Sequence, residues 1–301
     1  MSVGQELTSH SSSSGPLVHC LYEPDTGSWQ YICADPATGK CAIIDPVLDF
    51  HPAHARTSTE SAEKLLGIVK QHGYDVQWIL DTHPHADHLT AGRWLADCTG
   101  APHVIGEKVT EIAKLWRDYY HLPDAFPVAD DFDRLLPEGI DFSIGELGVK
   151  VLLSAGHTLG SVSYVVGDAA FVHDTLMHVD VGTARADFPG GSTGELWNSI
   201  QEILSLPENT RLFIGHDYGT DKRERPACEA TVAQHRADNP HVGGNQSKEA
   251  FIKLREERDA TLGLPDRMLF ALQVNLRGGR LPPAEADGNS YFKIPANKNL
   301  R

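Results

Sequence analysis

Short β-rich segments separated by turn residues open the regular part of the chain. Apolar and β-branched residues cluster in 17–22, 29–33 and 41–44, and the turns Asp25-Thr26-Gly27 and 36–39 lie between them. This order of short strands and turns predicts an antiparallel meander. The next apolar run, 76–80, predicts a buried strand.

Helical spacing of apolar residues follows in three places. A helix is predicted after Ser58 and Thr59, with acidic residues in its first turn and a stop at Gly73. Residues 109–120 repeat their apolar positions at helical spacing. A further helix is predicted to start at Asp87 or just after it and to run through residue 95. The acidic, proline-containing stretch 121–139 indicates a surface connection.

The second half of the chain repeats this plan. The predicted strands are 149–153, 161–166, 169–172 and 211–215, and the predicted helices are 195–205, 226–237, 247–260 and 266–273. Two strand-rich halves that each end in helix predict an α/β fold, with two sheets packed face to face and helices outside. We expect a flexible serine-rich tail over 1–16 and one domain over 17–301, mainly helical from residue 225.

Composition narrows the possible partners and compartments. The 301 residues carry a net charge of −15, which argues against nucleic acid and anionic membranes as main partners. No apolar run approaches the roughly 18 residues that span a bilayer. The 5 cysteines form no C-x-x-C pair, which fits a reducing compartment. The first residues lack the features of a secretion signal, so we expect a cytoplasmic protein, with mitochondria as the alternative.

Metal-binding residue types collect at the ends of the predicted strands. Three histidines and an aspartate follow strand 76–80 within six residues, in the sequence Thr82-His83-Pro84-His85-Ala86-Asp87-His88. His157, Asp174 and His216 each come directly after a later strand. Imidazole and carboxylate are ligands that Zn²⁺ and Fe²⁺ accept. Strand ends at one edge of a sheet sandwich can converge, so we expect these side chains to meet at one point. The glycines Gly156 and Gly215 allow close backbone approach there.

This set of residues resembles the metal signature of the metallo-β-lactamase superfamily, from about residue 17 onward. The resemblance implies an αββα sandwich, in which two mixed β-sheets are flanked by helices and the metal lies at one edge. It also implies a C-terminal helical segment. Two positions depart from the pattern: Leu159 stands where the family usually has proline, and His173 stands where it usually has glycine. A bulky His173 beside a metal ligand is expected either to alter the surroundings of that ligand or to add a donor near the metal.

Within the superfamily, the chain is most similar to the persulfide dioxygenase branch. Residues 85–88 have its H-A-D-H form, 182–188 resemble its G-x-x-R-x-D-F loop, and 216–218 resemble its H-D-Y. Leu264-Pro265 with 275–279 resembles its C-terminal L-P…N-x-R-x-G. The resemblance implies one Fe²⁺ per chain that converts glutathione persulfide and O₂ to sulfite and free thiol, and a homodimer. The implied iron ligands are His83, His157 and Asp174, and the implied substrate-binding residues are Arg185, Tyr218 and Arg277.

A binuclear zinc hydrolase of a thioester or lactone, similar to glyoxalase II, remains the alternative. Two Zn²⁺ ions would then be held by all seven residues: His83, His85 and His157 at one ion, Asp87, His88 and His216 at the other, and Asp174 between them. Under the iron hypothesis, the residues that become hydrogen-bond partners around the metal are His85, Asp87, His88 and His216. The candidate catalytic residues are Asp87 and His85. A member with only a structural metal, or none, is a third possibility.

Overall fold

The computed structural model describes residues 6–9, 15–221 and 223–298. Its strands are β1 Glu6–Ser9, β2 Leu17–Glu23, β3 Ser28–Ala34, β4 Lys40–Ile44, β5 Val47–His51, β6 Arg56–Ser58, β7 Asp75–Leu80, β8 Leu89–Thr90, β9 His103–Gly106, β10 Arg134–Leu136, β11 Asp141–Ile144, β12 Leu147–Leu153, β13 Val162–Val166, β14 Ala169–His173, β15 Arg211–Ile214 and β16 Glu229–Thr231. Its helices are α1 Glu60–His72, α2 Gly92–Thr99, α3 Val109–Tyr120, α4 Val128–Asp131, α5 Thr193–Leu204, α6 Val232–Asp238, α7 Lys248–Asp259 and α8 Met268–Asn275, and Pro52–His54 form a 3₁₀ turn.

Two large mixed sheets carry the fold. One has the strand order β1-β2-β3-β4-β7-β9-β10 and the other β11-β12-β13-β14-β15-β16. The predicted meander is confirmed, because β2, β3 and β4 pair antiparallel in sequence order. From β4 onward the first sheet is parallel, through β7 and β9. A third sheet, β6-β5-β8, was not expected from the sequence.

The main core lies between the two large sheets. Tyr31 on β3 packs against Phe171 and Phe213 of the other sheet, with ring centroids 5.3 and 5.5 Å apart. Burial of each such aromatic contributes about 1.5–3 kcal/mol. On the outer face of the first sheet, Leu65 of α1 and Leu95 of α2 belong to a second buried cluster. This arrangement confirms the predicted αββα sandwich.

The helix predicted from Asp87 begins five residues later, at Gly92. Leu89–Thr90 form the short strand β8, and the metal-type loop before it has no helical hydrogen bonds. The Asn275 side chain satisfies this backbone instead. Its amide nitrogen donates to the carbonyls of His85 and His88, and its oxygen accepts from the Thr90 N–H, all at 2.8 Å. A hydrogen-bond partner 185 or more residues away cannot be predicted from the local sequence pattern.

Other segments also differ from the sequence-based expectations. The 121–139 connection contains α4 and the strand β10, which pairs with β9. Residues 229–231 form β16 rather than helix, since Thr231 caps α6. Described residues after Asn275 form no helix, so the helical part ends there. Residues 6–9 of the expected flexible tail pair with β2, and 1–5 and 10–14 lie outside the described residues.

Helices long and apolar enough to cross a membrane are absent from the described part of the chain.

Candidate metal centre

All seven metal-type residues lie together at one edge of the sandwich. The loop after β7 carries His83, His85, Asp87 and His88, and the ends of β12, β14 and β15 place His157, Asp174 and His216 beside it. These strand ends meet because β7 ends at this edge of the first sheet and β12, β14 and β15 end at the same edge of the second. Gly215 makes room for the convergence, since a Cβ there would lie 2.5 Å from Asp174 Oδ1.

The spacing of the donor atoms suits metal ions. Asp174 Oδ2 lies 3.8 Å from His83 Nε2, 3.5 Å from His157 Nε2 and 3.3 Å from His216 Nε2. With metal–ligand bonds of about 2.0–2.2 Å, tetrahedral ligands stand about 3.3–3.6 Å apart. The donors form two groups, each with ligand atoms within 4.8 Å of one another. The first group is His83, His157 and Asp174, and the second is His85, Asp87, His88 and His216.

Several donor atoms in both groups are buried without a hydrogen-bond partner among the described residues. They are His83 Nε2, His85 Nδ1, His88 Nε2, His216 Nε2 and Asp174 Oδ1. An unpaired buried polar atom costs about 1–3 kcal/mol. Such a concentration of unpaired lone pairs fits a centre that a cation completes.

Hydrogen bonds fix which nitrogen of each first-group imidazole is free. His157 Nδ1 donates to the Arg185 carbonyl at 2.8 Å, which leaves its Nε2 lone pair facing the centre. The Thr82 hydroxyl donates to Asp45 at 2.9 Å, so its oxygen accepts from His83 Nδ1 at 3.1 Å. Both imidazoles therefore present Nε2 to the metal position.

Asp45 is a candidate positioning residue that the sequence analysis did not identify. It follows β4, the strand beside β7, and its carboxylate also accepts the Thr82 N–H at 2.8 Å. Its Oδ1 lies 3.1 Å from His85 Nε2, so the proton of His85 stays on Nε2 and Nδ1 faces the centre. Burial acts to lower the pKa of His85, but the Asp45 carboxylate outweighs it and raises that pKa. An aspartate directly after a strand, as at Asp174, was the signal available.

Burial and charge set the protonation states that metal binding needs. Burial lowers the pKa of His83 well below its ordinary value, and it also lowers the pKa of His157. Both are therefore neutral near pH 7, the form that ligates metals. Burial would raise the pKa of Asp174, but the adjacent His216 outweighs it and holds that pKa below its usual range. Asp174 is accordingly a carboxylate.

His173 stands at a backbone conformation that favours glycine. Its φ is +39°, and the pairing of β14 with β15 shifts register there. Its ring packs against that of His83, with centroids 4.8 Å apart, and its Nε2 lies 3.3 Å from the Thr175 hydroxyl. Burial lowers the pKa of His173 to about 3, so it is neutral at physiological pH. His173 lies against His83, one of the predicted metal ligands.

A cleft of about 290 Å³ lies over the centre. Its floor includes His157, Asp174 and His216, and Met177 and Leu262 contribute apolar wall. Tyr218 lines the cleft with its ring stacked on His216, at a centroid distance of 5.8 Å. The cleft also holds three arginines: Arg185, Arg255 and Arg258.

Two of these arginines are already engaged with acidic partners. Arg185 donates to both oxygens of Asp187, at 2.6 and 2.9 Å, and to the Gly263 carbonyl at 2.6 Å. Arg255, which the sequence analysis missed, pairs with Asp259. Arg258 is exposed, and its side chain makes no hydrogen bond or ion pair within the described ranges. It is the cleft arginine best placed to take an anionic group.

Arg277 does not reach the cleft. Its guanidinium is buried over the Phe126 ring, 4.5 Å from the centroid, and donates to the Gln273 carbonyl. The substrate contact of Arg277 stays a prediction, and this buried position outside the cleft lining does not support it. The 275–279 motif instead serves the centre through Asn275.

The loop 182–188 gives a pH-dependent prediction through His241. The Thr183 N–H donates to His241 Nδ1 at 3.0 Å, and burial together with Arg255 and Arg258 lowers the pKa of His241 to about 4. An unfolded histidine titrates near 6.5, so between pH 6.5 and 4 the unfolded chain binds a proton that the folded chain does not. Folding stability is therefore fully present above pH 6.5 and falls as the pH drops towards 4.

His241→Asn keeps an acceptor near Nδ1 without a titrating group. We expect this variant to show about one linked proton fewer than wild type when urea unfolding is measured from pH 7.5 to 4.5. An unchanged slope of unfolding free energy against pH would show that His241 is not the group responsible.

Comparison with known proteins places the chain among related enzymes. The family model "Metallo-beta-lactamase superfamily" matches residues 24–216, a span that ends at His216. A "Beta-lactamase hydrolase-like protein" of Agrobacterium fabrum is 53% identical over 284 residues, which are 94% of this chain and 65% of that protein. The chain thus spans about 65% of the length of this relative.

The matches to more distant relatives cover nearly the full length of those proteins. Persulfide dioxygenase ETHE1 of Bos taurus mitochondria is 27% identical, over 93% of this chain and 96% of that protein. The crystal structure of ETHE1 from Myxococcus xanthus matches with a TM-score of 0.69 and 28% identity, over 87% of this chain and 99% of that one. With the seven-residue centre and the layered sheets, these matches show that the chain belongs to the metallo-β-lactamase superfamily.

Proposed function

We propose that the protein is a persulfide dioxygenase that uses one iron ion. The reaction is RSSH + O₂ + H₂O → RSH + SO₃²⁻ + 2H⁺. In it the terminal sulfur loses four electrons, O₂ gains them, and the S–S bond breaks to release the thiol. Glutathione persulfide is the substrate that we propose. The relationship to persulfide dioxygenase ETHE1 supports this assignment.

The observation that carries the proposal is the first donor group. His83, His157 and Asp174 offer two neutral imidazoles and one carboxylate, with both Nε2 lone pairs fixed by hydrogen bonds. This is the donor set of non-haem Fe(II) oxygenases, and it leaves coordination positions open. Iron bound there would supply a site at which the persulfide sulfur and O₂ meet and exchange electrons.

The chain's own residues would orient the substrate in the cleft. The unpaired Arg258 would hold a substrate carboxylate, and the apolar wall near Met177 and Leu262 would exclude water from the reacting sulfur. Tyr218, stacked on His216, would close one side of the cleft.

Hydrolysis by two zinc ions is the second candidate, and one distance favours it. Asp174 Oδ2 lies 3.3 Å from His216 Nε2 of the second group while it also faces His83 and His157, so it is placed to bridge two ions. The name of the Agrobacterium relative points the same way. Under this hypothesis the substrate is a thioester or lactone.

The decisive experiment combines metal analysis with an oxygen electrode. We expect about one iron per chain, O₂ uptake that depends on glutathione persulfide, and sulfite as product. Two zinc ions per chain, hydrolysis of a glutathione thioester and no O₂ uptake would reject the dioxygenase and establish the hydrolase.

Variants of two cleft arginines, Arg185 and Arg258, distinguish a residue that positions the metal centre from one that binds substrate. The resemblance implies that Arg185 binds substrate, and on that basis Arg185→Ala would mainly weaken substrate binding. In the structure, the Arg185 side chain anchors to Asp187 and Gly263 the segment whose backbone carbonyl holds His157. We therefore expect this variant to lose metal and kcat, with little change in KM.

Arg258→Ala is the matched comparison. It should raise KM about tenfold and leave metal content unchanged, since one charge-assisted contact is worth about 1.5 kcal/mol. A raised KM for Arg185→Ala, with full metal content and kcat, would show that Arg185 binds substrate.

A further inference from the structure

The hairpin between β2 and β3 reaches across to the metal centre. The Trp29 N–H donates to the Gly215 carbonyl at 2.8 Å, and the Asp217 N–H donates to the Gly27 carbonyl at 2.9 Å. These bonds join the start of β3 in one sheet to the end of β15 in the other. They hold Ser28 directly beside His216, with which it forms a β-bridge.

The Ser28 hydroxyl contacts three residues of the second donor group. Ser28 is fully buried, and its Oγ lies 3.2 Å from Asp87 Oδ2 and 3.3 Å from both His88 Nδ1 and His216 Nδ1. A fourth contact, at 2.7 Å, is to the Thr26 hydroxyl in the hairpin turn. One hydroxyl thus contacts three of the four residues of the second donor group.

The Glu23 carboxylate, at the far end of this series of contacts, determines the direction of the hydrogen bonds. The Glu23 carboxylate accepts the Asp25 N–H at 2.8 Å, the Thr26 N–H at 2.9 Å and the Thr26 hydroxyl at 2.5 Å. Thr26 therefore spends its only hydroxyl proton on Glu23 and offers Ser28 an acceptor. The single proton of Ser28 goes to Thr26 or to Asp87, and both accept it. Its remaining lone pairs face the imidazoles and accept from them.

We propose that Glu23, Thr26 and Ser28, here called the hairpin chain, fix the hydrogen-bonding state of His88 and His216. Both imidazoles donate from Nδ1 and keep their Nε2 lone pairs for the centre. For His88, Asp87 Oδ2 shares this role at 2.9 Å. Ser28 is a positioning residue that presets the second donor group to bind a cation. The proposal does not depend on which reaction the centre performs.

The two donor groups are then supported in the same way, each by a carboxylate that acts through a hydroxyl. Asp45 acts through Thr82 on His83, and Glu23 acts through Thr26 and Ser28 on His216. In each case a buried or part-buried carboxylate sets the direction of a hydroxyl, and the hydroxyl sets the imidazole. Partners of this kind usually change metal affinity by 10–100-fold when removed.

Zinc titration of the metal-free protein tests the hairpin chain. We expect wild type to bind two zinc ions in competition with a chromophoric chelator. Ser28→Ala should keep the first and weaken the second at least tenfold. Thr26→Val should weaken the second ion in the same direction, and Thr26→Ser, which keeps the hydroxyl, should restore it.

The chain offers a matched control at the other end of β3. There the Thr38 hydroxyl donates to Asp35 at 2.7 Å, in a turn that also has a backbone donor to that carboxylate, from Ala37 at 2.9 Å. Thr38→Val removes the same kind of turn contact away from the centre. It should leave both zinc affinities unchanged, and circular dichroism should show all variants folded.

A spectroscopic measurement gives a readout that is independent of affinity and turnover. In zinc-loaded protein with ¹⁵N-labelled histidine, His88 and His216 should show protonated Nδ1, and Ser28→Ala should speed exchange of the His216 proton. A wild-type protein that binds one zinc, a folded Ser28→Ala protein with an unchanged second affinity, or an unprotonated Nδ1 on His216 would each overturn the proposal. None of these results depends on O₂ uptake.

Discussion

Asp174→Ala is expected to remove bound metal and to lower turnover by at least about a thousandfold, since the metal supplies several kcal/mol of transition-state stabilisation. The carboxylate has one oxygen, Oδ2, that lies within 3.3–3.8 Å of three imidazole nitrogens from both donor groups. Loss of this carboxylate removes the anionic ligand of the first donor group, and it also removes any bridge to the second group. The iron and zinc hypotheses therefore predict the same result.

The measurement is metal content by elemental analysis, followed by turnover of the metal-reloaded variant. His83→Ala should behave in the same way, because His83 belongs to the first donor group. Asp75→Ala is the control, since that side chain is 65% exposed and pairs with Lys40 on the surface. An Asp174→Ala protein with normal metal content and activity would remove Asp174 from the centre.

Asp45→Asn should lower metal affinity by about 10–100-fold, although Asp45 is not itself a metal ligand. Asp45 Oδ1 accepts the Thr82 N–H and also faces His85 Nε2, so the Asn oxygen takes that place and the amide NH₂ faces the Thr82 hydroxyl. The hydroxyl then accepts from the amide and donates to His83 Nδ1, which moves the His83 proton to Nε2, the nitrogen that faces the centre. The backbone is spared, because the φ of Asp45 is +48° and asparagine tolerates that region.

Asp49→Asn is the matched control for this variant. Asp49 also accepts a backbone N–H and a hydroxyl, from Ser61 at 2.9 and 2.6 Å, but on β5 rather than at the centre. Metal affinity should fall in Asp45→Asn and stay at the wild-type value in Asp49→Asn. If both variants bind metal like wild type, the hydrogen bond from the Thr82 hydroxyl to Asp45 has no role in ligation.

The sequence predicted the sandwich and the position of the seven donors because both depend on short-range pattern. Strands 76–80, 149–153 and 211–215 read as apolar runs, and the donors stand directly after them. Ends of parallel strands share an edge of the sheet, so residues far apart in sequence could be predicted to lie together.

The supports of the centre could not be predicted in the same way. Asp45, Ser28 and Asn275 are ordinary polar residues in sequence, and each acts through a contact with another element. The error at Asp87 has the same origin, because Asn275 replaces the helical hydrogen bonds that a local pattern assumes. Arg277 shows the converse, since a residue inside a matching motif lies buried over Phe126.

The donors of the centre come from both sheets, so a bound ion would link the stability of the protein to the metal supply. One half supplies the loop after β7, and the other supplies the ends of β12, β14 and β15. An ion held between them acts as a cross-link across the sandwich, and it favours the folded chain by RT ln(1 + [M]/Kd), where [M] is the free metal concentration. The melting temperature should then rise with the free metal concentration. In a metal-starved cell such a chain opens more often and meets proteases sooner, so its abundance would follow the metal supply.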